Sequence, residues 1–439
     1  VDVAMELQAV VLADHDDSGG TRLYPLTEVT PKSLLSVANR PLVMYQLALL
    51  ERSGFKEVIV ATTPKAREEL VNFMDQGYKG SIKVDIVEVD ENFETADVLR
   101  ALKEKISKDF VVISGDLVTD VYVHHLADVH RINDATCTVL LRPPKQEVKQ
   151  PGSKPVKGEV GNVDFVALDA KRTRLLCLES AADVEDKLTL PRKVLRTYPN
   201  VSITNKILDA HFYIFSRWIL DLLDEETEIR SIKTELVPYL IKNQFSSKSV
   251  PGQPALVSEE EEDEDEKADE SLVDDSAERS KFVPIRCHAL IYEGGYCSRA
   301  DSLHTYKEMN FEVPRHQGHS VPWEPNSSFP DKSDEEKRAL AKKVGSDCVV
   351  GEGFAIGEKS SIKKSVIGKH CSIGNNVKIV NCILHSHVTI QDNCNLTGCV
   401  ISNNVYMEND CTVTNCQIAD KYQMEAESQH KNETLLADE

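Results

Sequence analysis

Residues 366–401 read VIGKHCSIGNNVKIVNCILHSHVTIQDNCNLTGCVI, and aliphatic residues recur along this stretch at a fixed spacing. The spacing continues on both sides and links thirteen positions: Val350, Ile356, Ile362, Ile367, Ile373, Ile379, Leu384, Ile390, Leu396, Ile401, Met407, Val413 and Ile418. The steps between them are six, six and five residues, a repeat of 17. Spacing of this kind is typical of a parallel β-helix, in which each side of a triangular coil points one aliphatic residue inward. We therefore predict a β-helix over residues 341–420, followed by a tail at 421–439.

Most of the cysteines follow the same repeat. Seven of the eleven fall on it: Cys348, Cys371, Cys382, Cys394, Cys399, Cys411 and Cys416. The sequence contains no CxxC pair, so we interpret these cysteines as small buried residues of the coil walls. A metal site or a ladder of disulfides is the alternative. His385 and His387 flank one corner, which we predict to be solvated rather than a pair of metal ligands.

The first 245 residues alternate β-branched runs with helical segments. One predicted helix covers residues 41–53, with Pro41 in its first turn and Gly54 as its stop. The predicted strands are LQAVVLA, EVIVATT, KVDIVEV, FVVISGD, TCTVLLR and HFYIFS. This alternation favours βαβ units and a mostly parallel sheet, and such sheets bind ligands beyond the carboxyl ends of their strands.

Residues 246–283 have a different composition. They contain few large apolar side chains, and the window Glu259–Glu270 holds ten acidic residues and one Lys. Such a segment cannot bury enough apolar surface to offset its ordering entropy. We predict a disordered, exposed insertion; an acidic docking tail is the alternative. Residues 284–340 are then a return segment and connector.

The overall charge excludes some classes of function. The formal net charge is −21, which argues against nucleic acid as a direct ligand. Apolar runs all fall short of the roughly 20 residues that cross a bilayer, and the first residues lack the pattern of a signal peptide. We therefore expect a cytosolic protein without a membrane partner.

Motifs near the N-terminus resemble those of the sugar-nucleotide pyrophosphorylases. In that superfamily the first strand leads into L-A-G-G-x-G-T-R-L-x-P-L-T, and P-K follows. Three parts of this sequence match: Leu12-Ala13, Gly20-Thr21-Arg22-Leu23-Tyr24-Pro25-Leu26-Thr27 and Pro31-Lys32. The resemblance implies an α/β nucleotidyltransferase-like (Rossmann-like) domain at residues 1–245, followed by a left-handed β-helix.

The loop after the first strand departs from the superfamily pattern. Between Ala13 and Gly20 the superfamily has three residues, mainly glycine, whereas this chain has six. Glycine lets backbone N–H groups approach phosphates closely. Asp14, Asp16 and Asp17 add bulk and negative charge instead. We expect this loop to bind polyphosphates poorly.

The resemblance also implies a pair of metal-binding carboxylates, and one of them is missing. Asp116 of Gly115-Asp116 matches the first, but in GYCSRADSLHTYKEMN (295–310) the second falls on Arg299. A cation cannot replace an anion as a ligand of a divalent ion. The positions of the degenerate pocket are Gly19, Gly20, Thr21, Arg22, Lys32, Asp116 and Arg299. We expect Thr21, Arg22, Lys32 and Asp116 to stabilise the loop and strand ends, and we expect no metal, cofactor or catalysis. Retained binding of some nucleotide is the alternative.

Several further stretches narrow the resemblance to the pyrophosphorylase-like subunits of a guanine nucleotide exchange complex that acts on translation initiation factor 2. These stretches are SSIKKSVIG, YCSR and ELVPYLIKNQFSS before the acidic insertion. In that complex an epsilon subunit ends in a helical domain with the exchange activity. Here only 21 residues follow Ile418 (439 − 418), too few for such a domain.

The narrower resemblance therefore implies a non-catalytic subunit. Its partners would be an epsilon-type subunit, further regulatory subunits and initiation factor 2 as the substrate GTPase. An active sugar-1-phosphate nucleotidyltransferase, or a regulatory pseudoenzyme that senses a nucleotide-sugar for a related enzyme, are the other possibilities.

Overall fold

An α/β domain and a β-helix make up the chain. The computed structural model describes residues 6–15, 23–143, 163–181, 184, 188–246, 248–255, 282–315, 340 and 342–437. Among these residues, no helix combines the length and the apolar character needed to cross a membrane.

Seven strands form the central sheet of the α/β domain, in the order β13-β8-β12-β6-β1-β4-β5. The strands of the domain are β1 (Gln8–Leu12), β2 (Ser36–Val37), β3 (Arg40–Pro41), β4 (Glu57–Thr62), β5 (Lys83–Glu88), β6 (Phe110–Ser114), β7 (Leu117–Thr119), β8 (Cys137–Arg142), β9 (Asp164–Leu168), β10 (Leu175–Ser180), β11 (Ser202–Thr204), β12 (Leu208–Phe215), β13 (Cys287–Ile291) and β14 (Cys297–Arg299). Only β12 runs antiparallel to its neighbours in this sheet. All six predicted strands are confirmed, as is the mostly parallel sheet.

Helices cover both faces of the sheet, which explains why its inner strands are apolar without alternation. They are α1 (Leu42–Arg52), α2 (Pro64–Gly77), α3 (Thr95–Ala101), α4 (Val123–Ile132), α5 (Arg192–Thr197), α6 (Ile219–Glu225), α7 (Val237–Asn243) and α8 (Leu303–Glu312). The predicted helix at 41–53 is confirmed as α1, and Gly54 after it has a φ of 84°. A smaller sheet, β10-β9-β11, packs beside the main one.

The insertion begins later than its predicted start at residue 246. Val250 is buried in the core of the α/β domain, and Gly252 packs against Leu222. Ala255 pairs with Phe282, and the Val283 N–H donates to the Pro254 carbonyl at 2.9 Å. The two ends of the acidic segment are therefore held together on the domain surface. Residues 256–281, where we predict disorder, lie outside the described residues.

Three parallel sheets form the β-helix. The strands are β15 (Val349–Val350), β16 (Ala355–Ile356), β17 (Ser361–Lys363), β18 (Val366–Ile367), β19 (Ser372–Ile373), β20 (Lys378–Val380), β21 (Ile383–Leu384), β22 (Thr389–Ile390), β23 (Asn395–Thr397), β24 (Val400–Ile401), β25 (Tyr406–Met407), β26 (Thr412–Thr414), β27 (Gln417–Ile418), β28 (Gln423–Met424), β29 (Gln429–Lys431) and β30 (Thr434–Leu435). Partners differ by 17 residues, as in the row Ile373, Ile390 and Met407. The predicted inward register is confirmed.

Each corner of a coil contains a residue in the left-handed region of backbone space. One such column consists of Lys364, Asn381, Gly398, Asn415 and Asn432. Glycine and asparagine tolerate positive φ better than other residues, which explains their recurrence at the short corner. The seven cysteines of the repeat are free thiols, and all but the half-buried Cys348 are buried.

The coils extend beyond the predicted end at residue 420. Inward positions continue at Met424, His430 and Leu435, again with steps of six, six and five. The predicted tail at 421–439 is therefore wrong for the described residues up to 435. The pattern of aliphatic residues missed this last turn because His430 takes an aliphatic position.

The α/β domain packs against one outer face of the β-helix. Four outward residues of the first sheet, Val349, Val366, Ile383 and Val400, join a core cluster with residues of the α/β domain. The next outward residue in this column is Gln417, which marks the edge of the covered face. The α/β domain thus covers the first four coils.

A buried hydrogen bond fixes this seam. The hydroxyl of Tyr306 in α8 lies 2.9 Å from His385 Nε2 and donates a hydrogen bond to the Ser36 carbonyl at 2.5 Å. The predicted solvated corner is therefore wrong for His385, which is 6% exposed. Burial lowers the pKa of His385 to about 4, so the ring is neutral at neutral pH. The apolar column explains this burial, since it places the corner against the α/β domain.

Candidate functional site at the carboxyl ends of the central strands

Asp116 lies at the carboxyl end of β6, where the first and sixth strands come close together. The Gly115 N–H donates to the Leu12 carbonyl at 2.8 Å. A Cβ at Gly115 would lie 2.4 Å from the Ala13 carbonyl oxygen, so only glycine fits this close approach. The turn directs the Asp116 carboxylate into the protein, where it is fully buried and accepts a hydrogen bond from Ser114 at 2.7 Å.

Two cations neutralise this carboxylate. Arg299 Nε lies 2.9 Å from Oδ1, and Arg299 Nη2 lies 3.0 Å from Oδ2. Lys32 Nζ approaches Oδ2 from the other side at 2.9 Å. Burial alone would raise the pKa of Asp116, but the charges of Arg299 and Lys32 hold that pKa well below its usual range. The carboxylate is therefore ionised and paired on both oxygens.

Short elements from distant parts of the chain bring these side chains together. Lys32 begins a short helical turn, Lys32–Leu34, directly after Pro31. Arg299 ends β14, which pairs antiparallel with β7 and so lies beside the turn that contains Asp116. Three of the seven predicted site residues meet in this way. The other four, Gly19, Gly20, Thr21 and Arg22, lie outside the described residues.

The described start of the acidic loop is tied down by hydrogen bonds. The Asp14 carboxylate accepts from the Ser33 N–H at 3.0 Å and from the Thr62 hydroxyl at 2.6 Å. His15 is buried, and its Nε2 lies 3.0 Å from the Asp90 carbonyl oxygen. Asp14 thus connects the ends of the first and fourth strands. Asp16 and Asp17 are outside the described residues.

A second buried cluster lies between the main sheet and the small sheet. Lys233 Nζ is 2.8 Å from the Asp164 carboxylate, which also accepts the Asp209 N–H at 3.1 Å. The Tyr213 hydroxyl donates to Asp209. Burial raises the pKa of Asp209 to about 6, although the charge of Lys233 opposes this. No motif or repeat in the sequence indicates this cluster; the signal is limited to a charged residue near the start of the run LDAHFYIF.

A local irregularity of β12 shapes the same region. The pairing of β12 with β8 shifts register between Asp209 and Tyr213, and His211 between them has a φ of 53°. Burial and the nearby Arg299 and Lys233 hold the pKa of His211 well below its usual range. His211 therefore adds a neutral ring to a region already crowded with paired charges.

A cleft of about 180 Å³ opens beside the Asp116 cluster. Its lining includes Asp14, Lys32, Lys65, Glu69 and Asp301. A divalent ion takes several oxygen ligands at once. Because Asp116 already pairs both oxygens with cations, this arrangement offers a metal ion no free ligand from that carboxylate. The cluster positions backbone and side chains at the ends of the strands.

Comparisons with known proteins agree with this architecture. Residues 18–150 match the nucleotidyl transferase family, and residues 332–432 match the EIF2B subunit epsilon LbH domain. Translation initiation factor eIF2B subunit gamma of Dictyostelium discoideum is 32% identical over 382 residues, which cover 82% of this chain and 87% of that protein. The chain belongs to the eIF2B gamma-subunit family.

Other relatives show how far each similarity extends. The eIF2B gamma subunit of Schizosaccharomyces pombe is 30% identical over 82% of this chain and 74% of that protein. Mannose-1-phosphate guanyltransferase of Candida albicans is 31% identical, but over only 28% of this chain and 34% of that protein. Similarity to eIF2B gamma thus extends across both domains, whereas similarity to the guanyltransferase does not.

Proposed function

We propose that this chain is a non-catalytic subunit of eIF2B, the guanine nucleotide exchange complex that acts on translation initiation factor 2. It works in the cytosol beside an epsilon-type subunit and further regulatory subunits. Membership of the gamma-subunit family supports the complex. The observation that carries the non-catalytic part is the pair of Arg299 and Asp116.

The pair opposes nucleotidyl transfer for an electrostatic reason. Transfer from a nucleoside triphosphate needs a cation that bridges the enzyme and the phosphates. Here the guanidinium of Arg299 supplies the positive charge. A guanidinium donates hydrogen bonds, but unlike a metal ion it cannot coordinate protein and phosphate oxygens together. Lys32 could otherwise hold a phosphate, but its ammonium group forms an ion pair with Asp116. The charges of Asp116, Lys32 and Arg299 are therefore paired with one another inside the pocket.

The contribution of the subunit is then binding. Exchange factors favour the nucleotide-poor state of a GTPase through a difference in binding free energy between two states. A subunit without catalytic groups contributes by holding the epsilon-type partner and the GTPase in place. The seam between α8 and the first four coils of the β-helix joins the two domains through a shared apolar core. The two domains can therefore act as one scaffold on which both partners are held.

Two measurements test the proposal. The purified chain, incubated with nucleoside triphosphates, Mg²⁺ and common sugar 1-phosphates, is expected to release no pyrophosphate above blank. Turnover that disappears in Asp116→Ala would refute the non-catalytic assignment. Separately, release of labelled GDP from initiation factor 2 is expected to be faster with the complex containing this chain than with the epsilon-type subunit alone. Equal rates would refute the scaffold role.

The similarity to mannose-1-phosphate guanyltransferase favours one further candidate, a regulatory pseudoenzyme that senses a nucleotide-sugar for a related enzyme. Partners recovered from a native extract separate the two candidates. An epsilon-type subunit supports the exchange complex, and a catalytic pyrophosphorylase supports the pseudoenzyme.

A further inference from the structure

The described residues leave one outer face of the β-helix uncovered, and this face has an unusual charge for this chain. The outward residues of the third sheet are Ser361, Lys363, Lys378, Val380, Asn395, Thr397, Thr412, Thr414, Gln429 and Lys431. These ten residues include three lysines and no carboxylate. The chain as a whole carries a net charge of −21, so this face is locally opposite in sign to the rest of the molecule.

More lysines border this face at the first two coils. Lys359 and Lys364 occupy its two corners, with positive φ at both. Lys342 lies on the helical turn just before Val344, which pairs with Ile362 at the start of the coils. We call Lys342, Lys359, Lys363, Lys364 and Lys378 the lysine face.

The lysine face is not neutralised from within. All five side chains are exposed, and within the described part of the chain none of them forms an ion pair. Three carboxylates border the face. Asp347 accepts the Lys364 N–H at 3.3 Å, Glu358 precedes Lys359 in the corner, and Asp392 in the same corner column accepts the Asn375 N–H at 2.6 Å. Five cations against three carboxylates leave a net positive surface.

An apolar residue stands in the middle of these cations. Val380 is 36% exposed and lies opposite Lys363 in the next coil, two residues after Lys378 on the same side of its strand. Residues two apart on a strand are spaced by roughly 6.6 Å, and neighbouring strands by about 4.8 Å. An extended peptide along β20 has the same repeat, so an acidic side chain can meet Lys378 while an apolar one two residues later meets Val380. Lys363, opposite Val380 on β17, is then beside the acidic side chain that follows.

We propose that the lysine face binds an acidic, extended segment of another protein chain. Charge complementarity and strand spacing favour this partner over nucleic acid. Single-stranded RNA is usually held by arginine and by stacked aromatic rings. The lysine face contains neither, and the negative charge of the chain as a whole repels a polyanion as long as RNA. A short acidic segment needs only the local field.

The first test measures peptide binding to the full chain. The probe is a fluorescent peptide in which Glu alternates with Thr around one central Val. Changing Lys359, Lys363, Lys364 and Lys378 to Glu is expected to weaken binding at least tenfold. The matched control changes Lys56, Lys79, Lys171 and Lys206, which are equally exposed, to Glu and alters the net charge by the same amount. Equal weakening in the two variants would overturn the proposal.

Two further variants separate loss of binding from loss of folding and test the contact at Val380. The same four lysines of the face changed to Gln must also weaken binding, with the thermal midpoint unchanged. Val380→Ser is expected to weaken the Val-containing peptide but not one with Thr at its centre. A single-stranded oligouridine that binds the face more tightly than the peptide would assign the surface to nucleic acid instead.

The second test uses the native complex and a carbodiimide, which joins a lysine amine to a carboxylate in direct contact. Lys363 and Lys378 are expected to couple to Asp or Glu of another chain. Coupling confined to Glu259–Glu270 of this chain, or none at all, would overturn the assignment. Because the peptide test needs only this chain, failure of the proposed function and failure of this inference can be told apart.

Discussion

The guanidinium of Arg299 forms two hydrogen bonds to the carboxylate of Asp116, 183 residues away in the sequence. Both side chains are buried, with Asp116 at 0% and Arg299 at 7% exposure. A buried carboxylate without a partner is costly, so each member of this pair depends on the other. The pair therefore links β14 to the turn after β6 and, with Lys32, leaves both oxygens of Asp116 paired.

Removal of the guanidinium alone is expected to destabilise the fold. Arg299→Met leaves Asp116 buried with only Lys32 as a cation, and we expect a loss of about 3 kcal/mol in the free energy of unfolding. Urea denaturation measures this loss. The double variant Asp116→Asn, Arg299→Met removes both charges and is expected to be more stable than the single one. A single variant as stable as the unchanged protein would show that the pair contributes nothing.

Asp209 makes stability depend on pH. Its pKa is raised to about 6, so the folded state holds a proton that the unfolded state, with a pKa of about 3.9, releases. Stability contributed by this group is therefore greatest at low pH and falls as pH rises from about 4 to about 6.

Asp209→Asn is expected to abolish that part of the dependence. The stability of the variant minus that of the unchanged protein should rise between about pH 4 and pH 6 and then level off. Asp116 contributes equally to both proteins, so the difference isolates Asp209. Thermal midpoints across this pH range provide the measurement; a flat difference would contradict the assigned pKa.

The inward register of the β-helix predicts a sharp contrast between adjacent residues. Ile373 is buried between coils, whereas its neighbour Ser372 is exposed. Ile373→Asp buries an unpaired carboxylate and is expected to cost several kcal/mol, on the order of 4 kcal/mol. Ser372→Asp is expected to change stability by less than about 0.5 kcal/mol. Soluble yield and thermal midpoint report the outcome, and equal effects would mean that the register is shifted.

The seam between the domains predicts a similar contrast along one column. Ile383 is 1% exposed against the α/β domain, and Gln417 continues the same column beyond the covered face. Ile383→Lys is expected to cost about 3 kcal/mol, because it buries a charge among apolar side chains. Gln417→Lys serves as the control and should leave the unfolding transition unchanged. A tolerated Ile383→Lys would show that the domains separate readily.

Deletion of the acidic segment should leave the fold intact. Ala255 and Phe282 already hold the two ends together, so a shorter connection between them closes the same loop. Removal of residues 257–280 is expected to change the free energy of unfolding by less than about 1 kcal/mol. Thermal unfolding with and without the segment tests this, and a collapse of the fold would mean that the segment packs against the core.

The sequence by itself determined the elements that depend on local pattern. The 17-residue repeat indicated the β-helix and its inward register, because each coil buries one residue per side whatever surrounds it. The six strand runs and helix α1 followed from β-branched runs and from the stop at Gly54. Comparison of motifs placed Arg299 where a metal ligand would stand, but it did not show what the side chain contacts.

Only the tertiary structure decided where the charges pair. Asp116, Lys32 and Arg299 are distant in sequence, and their meeting depends on how β14 lies beside β7. The same holds for Asp209 and Lys233, because no repeat or motif in the sequence indicates their cluster. The polar sequence around His385 predicts a solvated corner, but this corner lies under the α/β domain. Local patterns report which face of an element is apolar, whereas the partner that covers a polar residue is chosen by contacts between distant segments.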